Sequence, residues 1–309
     1  MRRENEKRMK IRVFEAFAGY GSQSLALERL KKDFPNFDYE IVGISEIDKY
    51  AIDAYNALHP GVTNYGDISK INWDDVPDFD LFTYSSPCQD FSSAGLQRGG
   101  QEGSGTRSSL LWECRRAIIA KKPKYLLLEN VAALVSEKFL PLFNKWQAEL
   151  ASYGYTNFAQ VLNAKDYGIP QNRERVFLVS ILDDDARYHF PQPFKLEKRL
   201  KDVLETNVDE KYYLSEKMLN YFERVNADKS HGHNFTPKQG ADVAFTIRTA
   251  PGQRVDDNFI LTEGSCSNSQ NGRVVNPKGI SPAMVNGEKD GSPKILEQCN
   301  TNFINTQEE

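Results

Sequence analysis

The feature that most restricts the fold of this chain is a strand, a glycine turn and a helix in direct succession near its start. Residues 11–17 form an alternating apolar run that predicts a strand, and a turn with Gly19 and Gly21 follows it. An amphipathic helix should come next, with Leu25, Leu27, Leu30 and Phe34 on its apolar face. Glycine lets a ligand approach the backbone, and a helix start offers free N–H groups. This unit predicts an α/β fold with a nucleotide-type site, although neither a full dinucleotide fingerprint nor a Walker lysine is present.

A second strand, over residues 40–44, leads to an acidic residue at its end. Glu46 is placed there to accept the ribose hydroxyls of a nucleoside, whereas Asp48 is assigned as the N-cap of a helix over residues 48–58. Asp67 follows Gly66 at what we interpret as the end of the next strand. The acid at the end of the second strand therefore predicts a site for a nucleoside.

Two further apolar runs end in residues with catalytic chemistry. Residues 81–84 and 125–128 predict buried strands, which are followed by Cys88 and Glu129. A lone cysteine is usually a small buried hydrophobe and a lone acid can be a helix cap, but the neighbours of Cys88 are polar. Because strand ends in such folds meet at one crevice, we expect Cys88 and Glu129 to act together.

The rest of the chain predicts helices over residues 106–120 and 137–152, with Cys114 in the core, and a strand over residues 175–181. The composition changes after residue 183, and two prolines then indicate a linker. We therefore predict a catalytic domain over residues 1–190, and a linker with a smaller, irregular, strand-containing lobe over residues 191–309. One strand of that lobe is expected over residues 244–248.

Composition limits the partners and the compartment. The net charge of -4 excludes bulk attraction to nucleic acid, so a DNA-binding face requires a local concentration of basic residues. The lobe offers Lys238, Arg248, Arg254 and Arg273 for this, although a charged run can also be a plain solvated face. The four cysteines are widely spaced, which indicates free thiols in a reducing compartment. We expect a cytoplasmic protein, bacterial or phage-encoded, with no membrane segment and no metal, and a monomer unless a second polypeptide is needed.

Three short motifs occur in an informative order. Residues 87–92 contain Pro-Cys-Gln and Phe-Ser, residues 129–131 are Glu-Asn-Val, and residues 171–175 are Gln-Asn-Arg-Glu-Arg. Each is weak alone, but together with the glycine turn they resemble the DNA (cytosine-5)-methyltransferases. The resemblance is close over residues 11–181 and loose beyond. It implies a class I S-adenosylmethionine-dependent methyltransferase fold, Rossmann-like and mostly parallel, with a target-recognition lobe.

The resemblance also implies a reaction and its residues. A methyl group would pass from S-adenosylmethionine to C5 of a flipped-out cytosine in double-stranded DNA, leaving S-adenosylhomocysteine, with Cys88 as nucleophile and Glu129 as acid. Arg175 would hold the cytosine carbonyl oxygen, and Arg173 would position a loop or phosphate. The implied cofactor-binding residues are Phe17, Ala18, Gly19, Gly21, Glu46, Ile47, Asp67, Ile68, Pro87 and Leu110. The implied substrate-binding residues are Ser85, Gln89, Ser92, Asn130 and Gln171.

The chain departs from the family pattern at its end. The family has a long segment closing with Gly-Asn-x-Val that completes the cofactor pocket, and the residues after 293 do not resemble it. We therefore expect weak cofactor binding alone, or a second polypeptide that supplies this segment. Two alternatives stay open, a tRNA cytosine-5 methyltransferase and an inactive, partner-dependent nucleic-acid-binding remnant. The lobe of about 100 residues favours DNA, because RNA-specific relatives have a reduced one.

Overall fold

The computed structural model describes residues 9–87, 107–205 and 242–246, a few residues between 217 and 224, and two strands nearer the end. The chain forms two compact units, one of Met1–Leu162 with Glu174–Pro191 and the other of Asn163–Arg173 with Gln192–Glu309. Several residues singled out in the sequence lie outside the described residues: Cys88, Gln89, Ser92, Lys238, Arg248, Arg254 and Arg273.

The first unit is built on a six-stranded sheet. Its strands are β1 Met9–Ala16, β2 Phe37–Ser45, β3 Leu81–Tyr84, β4 Tyr125–Val131, β5 Tyr155–Asn163 and β7 Glu174–Leu182, in the order β2-β1-β3-β4-β7-β5. The β1–β2, β1–β3 and β3–β4 pairs are parallel, whereas β4 and β7 are antiparallel. The predicted α/β fold with a mostly parallel sheet is confirmed.

Among the described residues of this unit, four α-helices accompany the strands. They are α1 Ser22–Asp33, α2 Lys49–Leu58, α3 Cys114–Lys121 and α4 Leu140–Ser152. The predicted N-cap of α2 is confirmed, since the Asp48 side chain accepts a hydrogen bond from Ala51 N. Within the described residues, no helix is long and apolar enough to cross a membrane.

The core of the first unit lies on the central strands. Phe14, Phe82 and Tyr84 are fully buried on neighbouring strands, and their rings contact one another along the sheet. The Trp146 indole of α4 donates to the Tyr84 hydroxyl at 3.1 Å, which satisfies both polar groups within the core. Cys114 is fully buried, as predicted, and burial raises the pKa of its thiol. These contacts hold the carboxyl end of β3 in a rigid setting.

The second unit contains two small two-stranded sheets among its described residues. The strands β6 Gln171–Asn172 and β8 Ala244–Phe245 pair in parallel, as do β9 Phe259–Glu263 and β10 Lys294–Gln298. The predicted strand at 244–248 is therefore found over its first two residues, and residues 247–248 lie outside the described residues.

Three local predictions were wrong. The apolar face of α1 was predicted too long: Leu27 is buried as predicted, but Leu30 and Phe34 are 41% and 59% exposed. The helix packs instead through Leu27 and through Ser24, which bonds a buried acid. The segment predicted as one helix from residue 106 is a 3-10 helix over Arg107–Glu113 before α3 begins.

The third wrong prediction concerns the strand expected before Asp67. The chain makes only a single parallel bridge there, between Ile44 and Asn64. It then turns at Gly66, where φ is 73°, and Asp67 caps a 3-10 helix over Ile68–Lys70. A positive φ ends extended structure, so no strand forms at this position.

Candidate active site

The glycine turn between β1 and α1 has an unusual backbone. Phe17, Gly19 and Gly21 all have positive φ, at 56°, 57° and 86°. Phe17 is the unusual member, since bulky residues rarely adopt this conformation and such strain clusters at ligand-binding sites. A Cβ placed on Gly19 would meet nothing within 4 Å, so the turn leaves open space beside its backbone. The predicted cofactor-binding turn thus has room for a ligand.

Glu46 lies at the end of β2 and is bonded to this turn. Its Oε2 accepts from Gly19 N at 2.8 Å, and its Oε1 accepts from the N–H groups of Ile47 and Asp48 at 2.8 and 2.9 Å. The carboxylate is therefore fixed by three backbone donors from two loops. Ile47 presents an apolar side chain beside it that is 72% exposed.

Asp67 lies on the loop next to β2. Its Oδ1 accepts from the hydroxyl and the backbone N–H of Ser69 at 2.8 and 3.0 Å, and the hydroxyl bond is the main cause of a lowered Asp67 pKa. Asp67 is therefore a carboxylate at neutral pH, available as an acceptor. The neighbouring Ile68 side chain is only 2% exposed and packs in the core.

The ends of β3 and β4 are joined by a buried asparagine. Asn130 Nδ2 donates to the Ser86 carbonyl oxygen at 3.1 Å and to Ser86 Oγ at 3.3 Å, and Asn130 is 3% exposed. A second link reaches the same segment from α1, where Gln23 Nε2 donates to Ser85 Oγ at 3.0 Å. Gln23 thus holds Ser85 and Asn130 holds Ser86, the third and second residues before Cys88.

Glu129 and Arg175 meet at the ends of β4 and β7. Arg175 Nε lies 3.1 Å from Glu129 Oε1, and the side chains are 17% and 25% exposed. The antiparallel register produces this contact, because Val131 is opposite Arg175 and Glu129 is opposite Phe177. Arg175 Nη1 also donates to the Glu174 carbonyl oxygen at 2.7 Å. A partly buried acid next to Asn130 is therefore paired with a fixed guanidinium.

The comparisons with known proteins identify the family of the chain. Residues 11–293 match the model of the family described as C-5 cytosine-specific DNA methylase. The chain belongs to this family. It is 44% identical to the Type II methyltransferase M2.ScrFI of Lactococcus lactis subsp. cremoris, over 66% of this chain and 70% of the relative. It is 36% identical to the Type II methyltransferase M.NlaX of Neisseria lactamica, over 88% of this chain and 82% of the relative.

Solved structures show the same fold as this methylase family member. The S. pombe Dnmt2 methyltransferase is similar with a TM-score of 0.61 over 81% of this chain and 74% of that chain, at 21% identity. A methyltransferase encoded within an Escherichia coli prophage is similar with a TM-score of 0.51 over 64% of this chain and 56% of that chain. These likenesses establish the predicted class I methyltransferase fold.

The structure brings together some of the predicted site residues of this family member, whereas others lie on separate elements. Glu46 joins the glycine turn, and Glu129 joins Arg175. Gln171 and Arg173 belong to the second unit, where Arg173 N donates to Asn163 Oδ1 at 3.0 Å. Ala18, Pro87 and Leu110 lie on the first unit, with Ala18 4% exposed and Leu110 packed against the core. Within the described ranges, no three His, Cys, Asp or Glu side chains form a group that could hold a metal.

Sequence reasoning missed several residues of this methylase that hold the site together. These residues make hydrogen bonds to partners distant in the chain: Asn64 to Glu46, 18 positions away, Gln23 to Ser85, 62 positions away, and Glu15 to Ser24, 9 positions away. No local pattern marks such long-range bonds. The one available signal is Asn64 itself, since asparagine two positions before a glycine is typical of a turn whose side chain bonds the backbone.

Proposed function

We propose that this chain methylates C5 of cytosine in double-stranded DNA, with S-adenosylmethionine as the methyl donor. Membership of the family supports the reaction class. The observation that carries the proposal is the Glu129–Arg175 pair at 3.1 Å, one residue from the asparagine that holds Ser86 ahead of Cys88. This arrangement supplies an acid on β4, the strand next to the one that leads to Cys88, and a cation on β7, which pairs with β4. We assign cofactor chemistry to residues 1–190 and target recognition to residues 191–309.

The described residues fit S-adenosylmethionine, which supplies an electrophilic methyl group when bound. The open space at Gly19 and the free N–H groups at the start of α1 suit the amino-acid end of the molecule. Glu46 would accept from ribose hydroxyls and Asp67 from the adenine amine, with Phe17 and Ile47 nearby in sequence as apolar surface. The Ile68 side chain packs in the core, so its proposed part is to support the loop that carries Asp67. Ala18, Gly21, Pro87 and Leu110 complete the proposed contacts.

The proposed chemistry begins with the cytosine outside the duplex, where the reacting atoms are accessible. The Cys88 thiolate adds to C6, which forms an S–C6 bond and moves the electrons of the C5–C6 double bond toward C5. Glu129 protonates N3 and so stabilises the electron-rich ring. C5 then takes the methyl group and a base removes the C5 proton. The electrons of the C5–H bond restore the C5–C6 double bond as the thiolate leaves, and N3 returns its proton to Glu129.

Several charged and polar residues are proposed to orient the base. Arg175 would donate to the cytosine carbonyl oxygen, which its pair with Glu129 supports, and Arg173 would hold a loop or phosphate. Asn130 is already bonded to Ser86, so its contribution to substrate binding is to fix the segment that carries Ser85 and Cys88. Gln89, Ser92 and Gln171 are the remaining proposed substrate contacts.

A duplex with 5-fluorocytosine at target sites tests the covalent step. Fluorine cannot leave as a proton, so the S–C6 bond should persist, and the chain should migrate as a DNA adduct in a denaturing gel. Cys88→Ser should abolish both the adduct and methyl transfer, while S-adenosylhomocysteine binding stays within about threefold because the cofactor contacts are elsewhere. Cys114→Ala is the matched control, since this buried thiol lies in the core and its loss should leave the adduct intact.

Three results would contradict the proposal. Turnover by Cys88→Ser would remove this thiol from the reaction. Methyl transfer from labelled cofactor to tRNA but not to duplex DNA would move the activity to RNA, and transfer to neither would leave a nucleic-acid-binding remnant. Because the two named relatives are Type II methyltransferases, a mixed-sequence plasmid is the appropriate duplex.

A further inference from the structure

One asparagine outside the predicted site bonds the loops of two predicted cofactor-binding acids. Asn64 Oδ1 accepts from Glu46 N at 3.1 Å and from Gly66 N at 2.9 Å, and Asn64 Nδ2 donates to the Glu46 carbonyl oxygen at 3.0 Å. Both polar atoms of the side chain are therefore used. One amide thus clamps the backbone of Glu46 on both sides and ties it to the residue before Asp67.

The clamp continues to the glycine turn. Glu46 Oε2 accepts from Gly19 N, and the carbonyl oxygen of Gly66 accepts from Ser45 Oγ at 2.6 Å. The three elements that would surround an adenosine are thus connected by hydrogen bonds through Glu46 and Asn64. All of these groups lie in the first unit.

The backbone at Asn64 is fixed independently of its side chain. Ile44 N donates to the Thr63 carbonyl oxygen at 3.0 Å, and Tyr65 N donates to the Ile44 carbonyl oxygen at 2.8 Å. These two bonds form the bridge between Ile44 and Asn64. Removal of the Asn64 side chain should therefore release Glu46 without loss of the bridge.

We propose that Asn64 is a positioning residue that sets the ribose selectivity of the cofactor site by orienting the Glu46 carboxylate. The inference rests on the proposed function, because it takes Glu46 as the ribose acceptor. A carboxylate accepts two ribose hydroxyls only when its backbone and side chain are held in one orientation. Asn64 supplies the backbone part of that constraint, and Gly19, Ile47 and Asp48 supply the side-chain part.

The test compares S-adenosylhomocysteine with its 2′-deoxy analogue by calorimetry. The wild-type chain should bind the ribose compound more tightly, by about tenfold for one hydrogen bond to a carboxylate. Asn64→Ala should lower the affinity for S-adenosylhomocysteine about 10- to 100-fold and bring the ratio of the two affinities close to one. Asn72→Ala is the matched control, since this asparagine bonds only Asp74 and Asp75 around its own 3-10 turn.

A double-mutant cycle identifies the route of the effect. Glu46→Gln with Asn64→Ala should bind S-adenosylhomocysteine about as weakly as Glu46→Gln alone, because Asn64 acts through Glu46. An unchanged affinity ratio in Asn64→Ala, or additive losses in the cycle, would overturn this inference and leave the proposed function standing. A wild-type chain that binds no S-adenosylhomocysteine would overturn the proposed cofactor, and this inference with it.

Discussion

Glu15 is a buried carboxyl group whose hydrogen bonds join three elements of the first unit. It lies near the end of β1 and is 1% exposed, and its Oε2 accepts from Ser24 Oγ at 2.7 Å and from the Tyr55 hydroxyl at 2.8 Å. Its Oε1 is buried without a hydrogen-bond partner. Burial raises the pKa of Glu15, so at a given pH the neutral form is more populated in the folded chain than in the unfolded chain. The acid joins β1 to α1 and α2 directly behind the glycine turn.

Glu15→Gln should reveal this raised pKa through the pH dependence of stability. The folded chain binds the Glu15 proton more tightly than the unfolded chain, so wild-type stability falls as pH rises above the unfolded value of about 4.3. Glutamine stays neutral and lacks this loss. The free energy of urea unfolding of Glu15→Gln, relative to wild type, should therefore increase between about pH 4 and pH 8.

The trend with pH is the measurement, because the buried amide adds a constant offset at every pH. Glu40→Gln is the control, since the Glu40 side chain is 51% exposed and pairs with Lys10 at the surface. That variant should not gain relative stability as pH rises. A flat difference for Glu15→Gln across the same range would mean that Glu15 titrates as it does in the unfolded chain.

At the residue scale, sequence reasoning found acids that end strands and missed residues that act through distant partners. Glu46 and Glu129 follow apolar runs, and the structure has both at strand ends. Glu15 looked like an ordinary polar position of an alternating strand, and its role depends on Ser24 and Tyr55. Such roles arise from tertiary contacts that no periodicity encodes.

At the element scale, the predictions succeeded where the apolar run was short and bounded by turn residues. The strand expected at 81–84 is β3, residue for residue, because aspartates precede it and serines follow it. The helix expected from residue 106 was wrong over its first half, which forms a 3-10 helix. Helical periods of 3.0 and 3.6 are hard to separate over seven residues, so apolar spacing alone could not distinguish them.

The glycine turn allows a matched test of why the residue before α1, Gly21, must be glycine. Gly21 and Gly61 both have φ of 86°, so alanine strains the backbone equally at either position. A Cβ on Gly21 would also lie 2.7 Å from the His59 ring and 2.8 Å from Tyr55 Cε2, whereas Gly61 has open space. Gly61→Ala should cost about 1–2 kcal/mol, and Gly21→Ala about 1–3 kcal/mol more, in the free energy of urea unfolding.

The larger loss depends on Tyr55 being unable to move. Tyr55 is fully buried and its hydroxyl is bonded to Glu15, so relief of the contact would break a buried hydrogen bond. Equal losses at the two glycines would show that His59 and Tyr55 yield, and that only the left-handed backbone requires glycine at position 21.

At the scale of the whole molecule, the candidate site depends on the order and direction of the strands. Glu129 and Arg175 are far apart in the chain, and they meet because β7 lies antiparallel beside β4. The sequence indicated a mostly parallel α/β sheet, but it contained no signal for the direction of β7 or for the order β2-β1-β3-β4-β7-β5. The neighbour and the direction of a strand depend on how its apolar face packs against the core together with all the other strands, so they are properties of the whole sheet.

The Glu129–Arg175 pair should therefore stabilise the fold as well as serve the reaction. Each side chain is less than one-third exposed, at 25% and 17%, so loss of one partner leaves a partly desolvated charge. Glu129→Gln and Arg175→Met should each lower the free energy of unfolding, and the double variant should lose about 1–2 kcal/mol less than the sum. Both single variants should also lose methyl transfer. Glu129→Gln removes the acid proposed to protonate N3, and Arg175→Met removes the cation proposed to hold the cytosine carbonyl oxygen.

The exposed pair Lys10–Glu40 provides the comparison for that cycle. Its side chains are 52% and 51% exposed and it joins β1 to β2 in the same sheet, so solvent should screen it to a coupling of about 0.5 kcal/mol or less. A Lys10→Met and Glu40→Gln cycle with this small coupling, beside the larger one at Glu129–Arg175, would locate the stabilising pair at the candidate site. Additive losses at Glu129 and Arg175 would instead mean that strand pairing alone holds β7 against β4, and that the two charges are kept there for catalysis.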